Sequence, residues 1–356
     1  MPASHLSAAV APAADDRNIN SSVPDPGRCH ERTAEHLIRL HGSQSSSYFA
    51  LQPDCRHFLS PGLGLVPYVP VKVLGQRVNV VPTSPLAGAQ SMGRLLQAFE
   101  QSVPGPSLYV GVDQSLLGPL GELGYDATVM GTEFSVDLTR FSLRGKAMKQ
   151  LRHARNLDRR CRIEVREQCG DEVNWHKVAG ISERWRLGKA VKERELGLLT
   201  RPPVFADEWG VRKFYAYVEG ELAGYVFFDP WYRHHELAGY CANILRASPE
   251  MNRLGVLDHI ILQAASQFRE EGVPELSLGI APLHGVRHCP GDRPGLRRLQ
   301  NILYRYGNRL YAFQPLAYHK SRYRGRETPW FVCARELGST RLVATLMKGT
   351  GLLALP

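Results

Sequence analysis

Three side chains able to move a proton or hold a charge stand in the last third of the chain: Asp258, His284 and Lys320. Around them, Asn243, Arg246, Glu195, Tyr318 and Arg322 offer hydrogen bonds, cationic contacts for phosphate or carboxylate, and an aromatic face. Asp258 lies in the first turn of a helix expected over residues 255–271, where a carboxylate complements the helix dipole or polarises a bound group. Arg246 ends the preceding strand and is expected to point into the same region. His284 follows an apolar strand over residues 275–281; Gly279 and Pro282 are expected to stop that strand and leave the imidazole exposed at a loop mouth. There it can act as an acid or base near neutral pH. Lys320 and Arg322 alternate with Tyr318 and Tyr323. In an extended segment that alternation places Tyr318, Lys320 and Arg322 on one side, suited to a phosphate and a stacked base. Glu193 and Glu195 can orient a substrate or stand on a solvated helix.

The net charge of +10 on 356 residues is unevenly spread. Residues 140–166 hold ten Lys or Arg against Asp158 and Glu164, and residues 287–326 hold ten against Asp292 alone. The rest of the chain is acidic, so the partner is expected to be polyanionic: nucleic-acid phosphate or an anionic lipid surface. Within the first window, Lys146, Lys149, Arg152, Arg155 and Arg159 recur at three- and four-residue steps, which predicts a basic stripe along one helix over residues 142–160.

The positioning elements follow from pattern. Residues 32–41 read as an amphipathic helix, and Ser-rich 43–51 as a lead into the first strand. Two strands are expected within 62–81, meeting near Leu74-Gly75-Gln76, followed by a helix (91–102), a strand (107–112), a helix (115–123) and a strand (127–136). Helices are then expected over 175–188 and 189–196. A hairpin turning at Glu219-Gly220-Glu221 and a strand over 236–245 come before the helix and strand that carry Asp258 and His284. A helix over 296–306, with 307–315 and 330–335, closes the fold. The order implies an α/β (α+β) fold. Seven scattered cysteines without a C-x-x-C pair suit reduced thiols in a cytoplasmic protein and argue against structural zinc, His288-Cys289 included. No apolar run is long enough to span a bilayer, and residues 1–30 read as a disordered leader.

Several motifs occur together in a fixed order: Ser45–Asp54, Gly131-Thr132-Glu133 through Asp137-Leu138, the spacing of Trp185, Lys189 and Glu195, Gly255-Val256-Leu257-Asp258, Leu276–Leu283, Tyr311-Ala312-Phe313 and Tyr318–Tyr323. With these the chain resembles the C-terminal catalytic domain of the phosphatidylglycerol lysyltransferases and alanyltransferases. The resemblance implies two tandem GNAT-like acyltransferase units, the first degenerate. The expected division is a leader (1–30), a first unit (31–141), a catalytic unit (142–340) and a tail (341–356) able to lie on a membrane surface. It implies transfer of an amino acid from aminoacyl-tRNA to a phospholipid or small-molecule acceptor, without metal or cofactor. Asp258, His284 and Lys320 would then be catalytic. Asn243, Arg246, Glu195, Tyr318 and Arg322 would bind substrate, and the 146–159 stripe would dock tRNA. The protein is expected in the cytoplasm or peripherally at the inner membrane.

Three departures mark this sequence. Asn243 replaces the family's aspartate in Asn243-Ile244-Leu245-Arg246, His284 replaces a small hydroxyl residue, and a stand-alone domain without a preceding transmembrane region is expected. The alternatives are a coenzyme A-dependent acyltransferase and a non-catalytic pair of units that binds tRNA or an anionic membrane. The coenzyme reading is disfavoured because Asn252-Arg253-Leu254-Gly255-Val256-Leu257 keeps one glycine of a pyrophosphate turn but has Leu for its last small residue and Asn at its first position.

Overall fold

The computed structural model describes residues 31–187, 197–198, 200–252 and 254–351. The expected leader, the helix at 189–196 and with it Glu193 and Glu195 lie outside the described residues. Helix α1 (Glu31–His41) precedes β1 (Arg56–Ser60), β2 (Gly64–Val73), β3 (Gln76–Val81), β4 (Leu86–Ala87), α2 (Ala89–Ser102), β5 (Ser107–Val112), α3 (Leu117–Glu122) and β6 (Asp126–Asp137). The second half runs α4 (Lys149–Arg155), β7 (Ile163–Glu167), α5 (Trp175–Leu187), β8 (Arg212–Val218), β9 (Glu221–Arg233), β10 (Glu236–Ala247) and α6 (Pro249–Asn252). It continues through α7 (Val256–Glu270), β11 (Glu275–Pro282), α8 (Pro294–Tyr306), α9 (Phe313–Ser321), β12 (Arg326–Ala334) and α10 (Ser339–Gly349). All strands join one mixed sheet in the order β1-β2-β3-β5-β12-β6-β11-β10-β9-β8-β7, with β4 on β2. The last described strand, β12, lies between β5 and β6, far from its neighbours in sequence.

Alternation along the strands sorts the core into layers. In the second half, Phe214, Phe228, Tyr240, Leu276 and Leu278 pack beneath Val256, Ile260, Ile261 and Phe268 of α7. Tyr215, Tyr225, Phe227 and Ile244 face the other way, onto Val178 and Ile181 of α5. In the first half, Leu95, Leu96 and Phe99 of α2 cover Val66, Tyr68, Val81 and Tyr109. Each of these fully buried side chains stabilises the fold by about 1.5–3 kcal/mol. The hairpin turns fall at Leu74-Gly75 and Glu219-Gly220, where both central residues have positive φ as a two-residue turn of this hand requires.

Several expectations fail for identifiable reasons. Residues 142–160 do not form one helix: a 3₁₀ turn (Lys146–Met148), α4 and a second 3₁₀ turn (Asn156–Arg159) replace it. Arg152 turns inward, donating to the carbonyls of Leu143 and Gly145, both at 2.6 Å, while Lys146, Lys149, Arg155 and Arg159 stay exposed. Residues 318–321 are the last turn of α9, not an extended segment. The deciding period is that of buried Phe313, Ala317 and Lys320, and the tyrosine–cation alternation is incidental to it. Residues 307–315 hold a 3₁₀ turn and the start of α9, and residues 47–51 a 3₁₀ turn leading out of α1. Gly279 does not stop β11; it is a bulge with φ of +71°, and the strand runs on to Pro282. The apolar face of α10 is turned onto the sheet, with Leu342 fully buried against a cluster containing Val71, Val73 and Leu198. No helix among the described residues is long and apolar enough to cross a membrane.

Candidate active site

Two parallel strand pairs repeat the same geometry. β3 and β5 pair at Asn79–Val81 with Ser107–Tyr109, and β10 and β11 pair at Gly239–Cys241 with Glu275–Ser277. Beyond these rungs neither pair continues its ladder. Two residues past the last rung stands a glycine in each case, Gly111 and Gly279, both with φ of +71°. A Cβ added at Gly111 would sit 3.3 Å from the Trp330 ring; one added at Gly279 would sit 3.5 Å from Lys320 Nζ and 3.7 Å from Cys241 Sγ.

The first gap is filled. Gln44 is buried and its amide does the work of a missing rung: Nε2 donates to the Gly111 carbonyl at 2.5 Å, and Oε1 accepts from the Ser84 amide at 3.0 Å. Ser46 bonds Thr83 at 2.8 Å, and the Gly111 amide donates to Met130 Sδ.

The second gap holds ionisable groups instead. Lys320 is buried, and its Nζ donates to the Ile280 carbonyl at 2.6 Å. Burial pulls its amine down to about 8, against the opposing pull of Cys241 and Glu133. Burial, reinforced by the charges of Asp229 and Glu133, pushes the Cys241 thiol up to about 12, so Cys241 is not a nucleophile near neutral pH. Glu133, on β6, accepts from Ser45, from Ser277 Oγ at 2.6 Å and from Trp330 Nε1 at 3.1 Å. The segment that plugs the first gap with Gln44 therefore braces the second through Ser45. Behind Cys241, Asp229 receives the Arg201 guanidinium in a two-pronged bond and the Asn243 amide at 2.7 Å. Arg201 also reaches Glu208 at 2.6 Å, and Lys213 reaches Glu208 at 2.8 Å, which balances two buried cations with two carboxylates.

The remaining expected site residues are dispersed. Asp258 begins α7 and is clamped to the end of α9, accepting from His319 Nε2 at 2.9 Å, Arg322 at 2.6 Å and Tyr323 at 2.8 Å. Burial opposes its ionisation, but those bonds and charges outweigh it and hold the carboxyl below the ordinary range. Arg246 points away from Asp258, to the α5 face, where it bonds Ser182 Oγ at 2.6 Å and lies 4.3 Å from the Trp185 ring centre. Strand alternation separates the two, because Ile244 and Arg246 share the face opposite the one α7 covers. His284 is partly covered; its Nδ1 meets Tyr304 Oη at 3.0 Å and its ring lies against Phe134. Tyr318 is 60% exposed and bonds Gln150 on α4, whereas Lys320 is buried against β11, so the two share no face. Among the described residues of the expected set, only Lys320 and Asn243 border the second gap.

With that geometry in hand, comparison with known proteins is decisive for descent. The family model described as phosphatidylglycerol lysyltransferase, C-terminal, matches residues 35–334. The chain belongs to this family. It is 22% identical over 259 residues to a phosphatidylglycerol lysyltransferase of Staphylococcus epidermidis, covering 71% of this chain and 30% of that protein. To the phosphatidylglycerol lysyltransferase of Bacillus subtilis it is 23% identical over 299 residues, covering 83% and 34%. The chain thus spans about a third of the length of these curated relatives. L-PGS from Bacillus licheniformis superposes with a TM-score of 0.70 at 19% identity, over 90% of this chain and 97% of that one. The C-terminal domain of a putative lysylphosphatidylglycerol synthetase from Agrobacterium fabrum gives 0.68 at 18% identity, over 88% and 93%.

The fold of the phosphatidylglycerol lysyltransferase family is thereby established for this chain: mixed α/β, built around one large sheet. Sequence reading missed Glu133, Ser45, Ser277, Trp330 and the Arg201–Asp229 pair. Glu133 did stand inside a quoted motif, and its place as the one charged residue between the ends of β6 was the available signal. His319 was missed because its partner, Asp258, is 61 residues away.

Proposed function

We propose that this chain transfers an aminoacyl group from aminoacyl-tRNA to a hydroxyl of a phospholipid of the phosphatidylglycerol type, and that the gap between β10 and β11 is where transfer occurs. The supporting observation is Lys320: a buried amine, drawn down to about 8, beside the bulge at Gly279. Such an amine populates both protonation states near neutrality, which suits a proton shuttle. As the neutral base it takes the proton of the acceptor hydroxyl while that oxygen attacks the ester carbonyl. The bond from the carbonyl carbon to the ribose oxygen then breaks, and the proton passes to that oxygen. As the ammonium it steadies the developing oxyanion. The ester is already activated, so the step needs no oxidant and no cofactor.

Asn243 completes the pocket on the β10 side. Its Oδ1 meets only Thr200, at 3.5 Å, among the described residues, and is placed to accept a bond from the donor's ammonium group. Glu133 positions Ser277, and Asp258 positions α9, which carries Lys320. Exposed Lys146, Lys149 and Arg159 supply cations for acceptor-stem phosphates, whereas Arg152 holds the turn that presents them. Arg246 and Tyr318 are assigned no substrate contact, and His284 no step.

The names of the relatives support the acceptor class. The test is incubation with tRNA charged with labelled amino acids and phosphatidylglycerol vesicles. Label is expected to move into the lipid fraction. Persistence of charged tRNA, with consumption of an acyl-coenzyme A instead, would overturn the reading.

A further inference from the structure

An open cleft lies away from the β10/β11 gap, between the linker after β6, α4 and α7. It encloses about 540 Å³ and is lined by Arg144, Arg152, Arg155 and Arg269 together with Leu138, Phe141, Leu143, Leu262 and Ala265. None of its lining residues is acidic, and none belongs to the cluster around Lys320. Arg152 is committed to the Leu143 and Gly145 carbonyls, which shapes the turn that forms one wall. Arg144, Arg155 and Arg269 are exposed, and their guanidinium groups hold no hydrogen bond or ion pair among the described residues. Three uncommitted guanidinium groups around one hollow repel one another unless an anion sits among them.

The rest of the lining narrows the ligand. Four of the five apolar side chains are aliphatic, and the one aromatic ring, Phe141, lies against Tyr323 with ring centres 6.4 Å apart. A nucleotide would be served by aromatic faces and base-edge hydrogen bonds; aliphatic walls below a cationic rim suit a phosphate ester carrying hydrocarbon. We infer that this cleft binds the phosphate of an anionic phospholipid, with Leu138, Leu143 and Leu262 against the first carbons of its glycerol and chains. The site anchors the protein to a bilayer and is separate from the place of transfer. It stands whether or not the proposed aminoacyl transfer is correct.

The test uses the full chain and sedimentation with vesicles of phosphatidylcholine, with and without phosphatidylserine, a lipid other than the proposed acceptor. The paired variant Arg144→Glu/Arg269→Glu is compared with Arg298→Glu/Arg309→Glu, which changes net charge equally at exposed arginines outside the cleft. Binding to phosphatidylserine vesicles is expected for the parent chain. It should fall on the order of thirtyfold or more in the cleft variant, from the loss of two surface cations, and less in the control. Leu143→Gln should weaken binding without changing the charge. Equal loss in both charge variants would reduce the effect to general surface attraction and overturn the site. So would a cleft variant that binds vesicles normally but loses affinity for a short RNA, which would give the cleft to nucleic acid. Unchanged melting temperature is the check that each variant is folded.

Discussion

The gap between β3 and β5 and the gap between β10 and β11 begin from the same backbone: a three-rung parallel pairing, then a positive-φ glycine two residues on. They differ in what enters. A neutral amide, Gln44, fills the first and satisfies the backbone groups that the parting strands leave open. A buried cation, Lys320, enters the second, bordered by Cys241 and by Glu133 and Asp229 beyond. A hydrogen-bonded amide contributes stability; a desolvated amine costs stability and supplies reactivity. One copy of the motif is a joint and the other is the proposed site, and Trp330 ties them together by covering Gly111 and donating to Glu133.

The contrast breaks most sharply at Lys320. Lys320→Met should lower the transfer rate by about 10²–10⁴, the usual weight of a positioned acid or base, in a protein that remains folded. Gln44→Leu should leave the rate of the folded protein unchanged. Single-turnover assays on both variants check this directly.

Next in size is the charge cluster behind the second gap. Arg201→Met leaves Asp229 and Glu208 without their shared cation and should destabilise by about 3–5 kcal/mol, read by urea unfolding. Gln44→Leu, which orphans the Gly111 carbonyl and the Ser84 amide, should cost less, about 1–3 kcal/mol.

The two glycines sharpen the comparison. Alanine at either position carries a strain of about 1–2 kcal/mol from its left-handed backbone. Gly111→Ala should lose more stability, because a Cβ there meets the Trp330 ring. Gly279→Ala should lose more activity, because its Cβ meets the end of Lys320.

The smallest effect is on pH dependence. Lys320 releases its proton at about 8 in the folded protein and near 10.4 in the unfolded chain. Between those values the unfolded state binds the extra proton, so this residue's contribution to stability rises with pH across that window. The difference in melting temperature between the parent chain and Lys320→Met should narrow over the same interval.

Much of the scaffold was legible in the sequence, because hairpin turns and apolar alternation are local signals. Glu219-Gly220 and Leu74-Gly75 announce their turns, and β5 falls where its apolar run predicts. The site was only partly legible. Lys320 was found, but through a strand-like alternation that the buried spacing of α9 overrules. Arg246 and Asp258 were grouped by nearness along the chain, whereas the sheet separates them onto opposite faces. Glu133 gains its role from Ser45, Ser277 and Trp330, partners 88, 144 and 197 residues away, and no local pattern encodes such a meeting.

The central claim is that the second gap receives the donor and the first cannot. A crystal structure with an adenosine bearing an amide-linked amino acid, a stable mimic of the aminoacyl-tRNA end, tests it most directly. The account predicts the amide carbonyl between β10 and β11, in contact with Lys320 and with its ammonium group toward Asn243. The mimic lodged between β3 and β5 with Gln44 displaced, or bound away from Lys320 altogether, would contradict it.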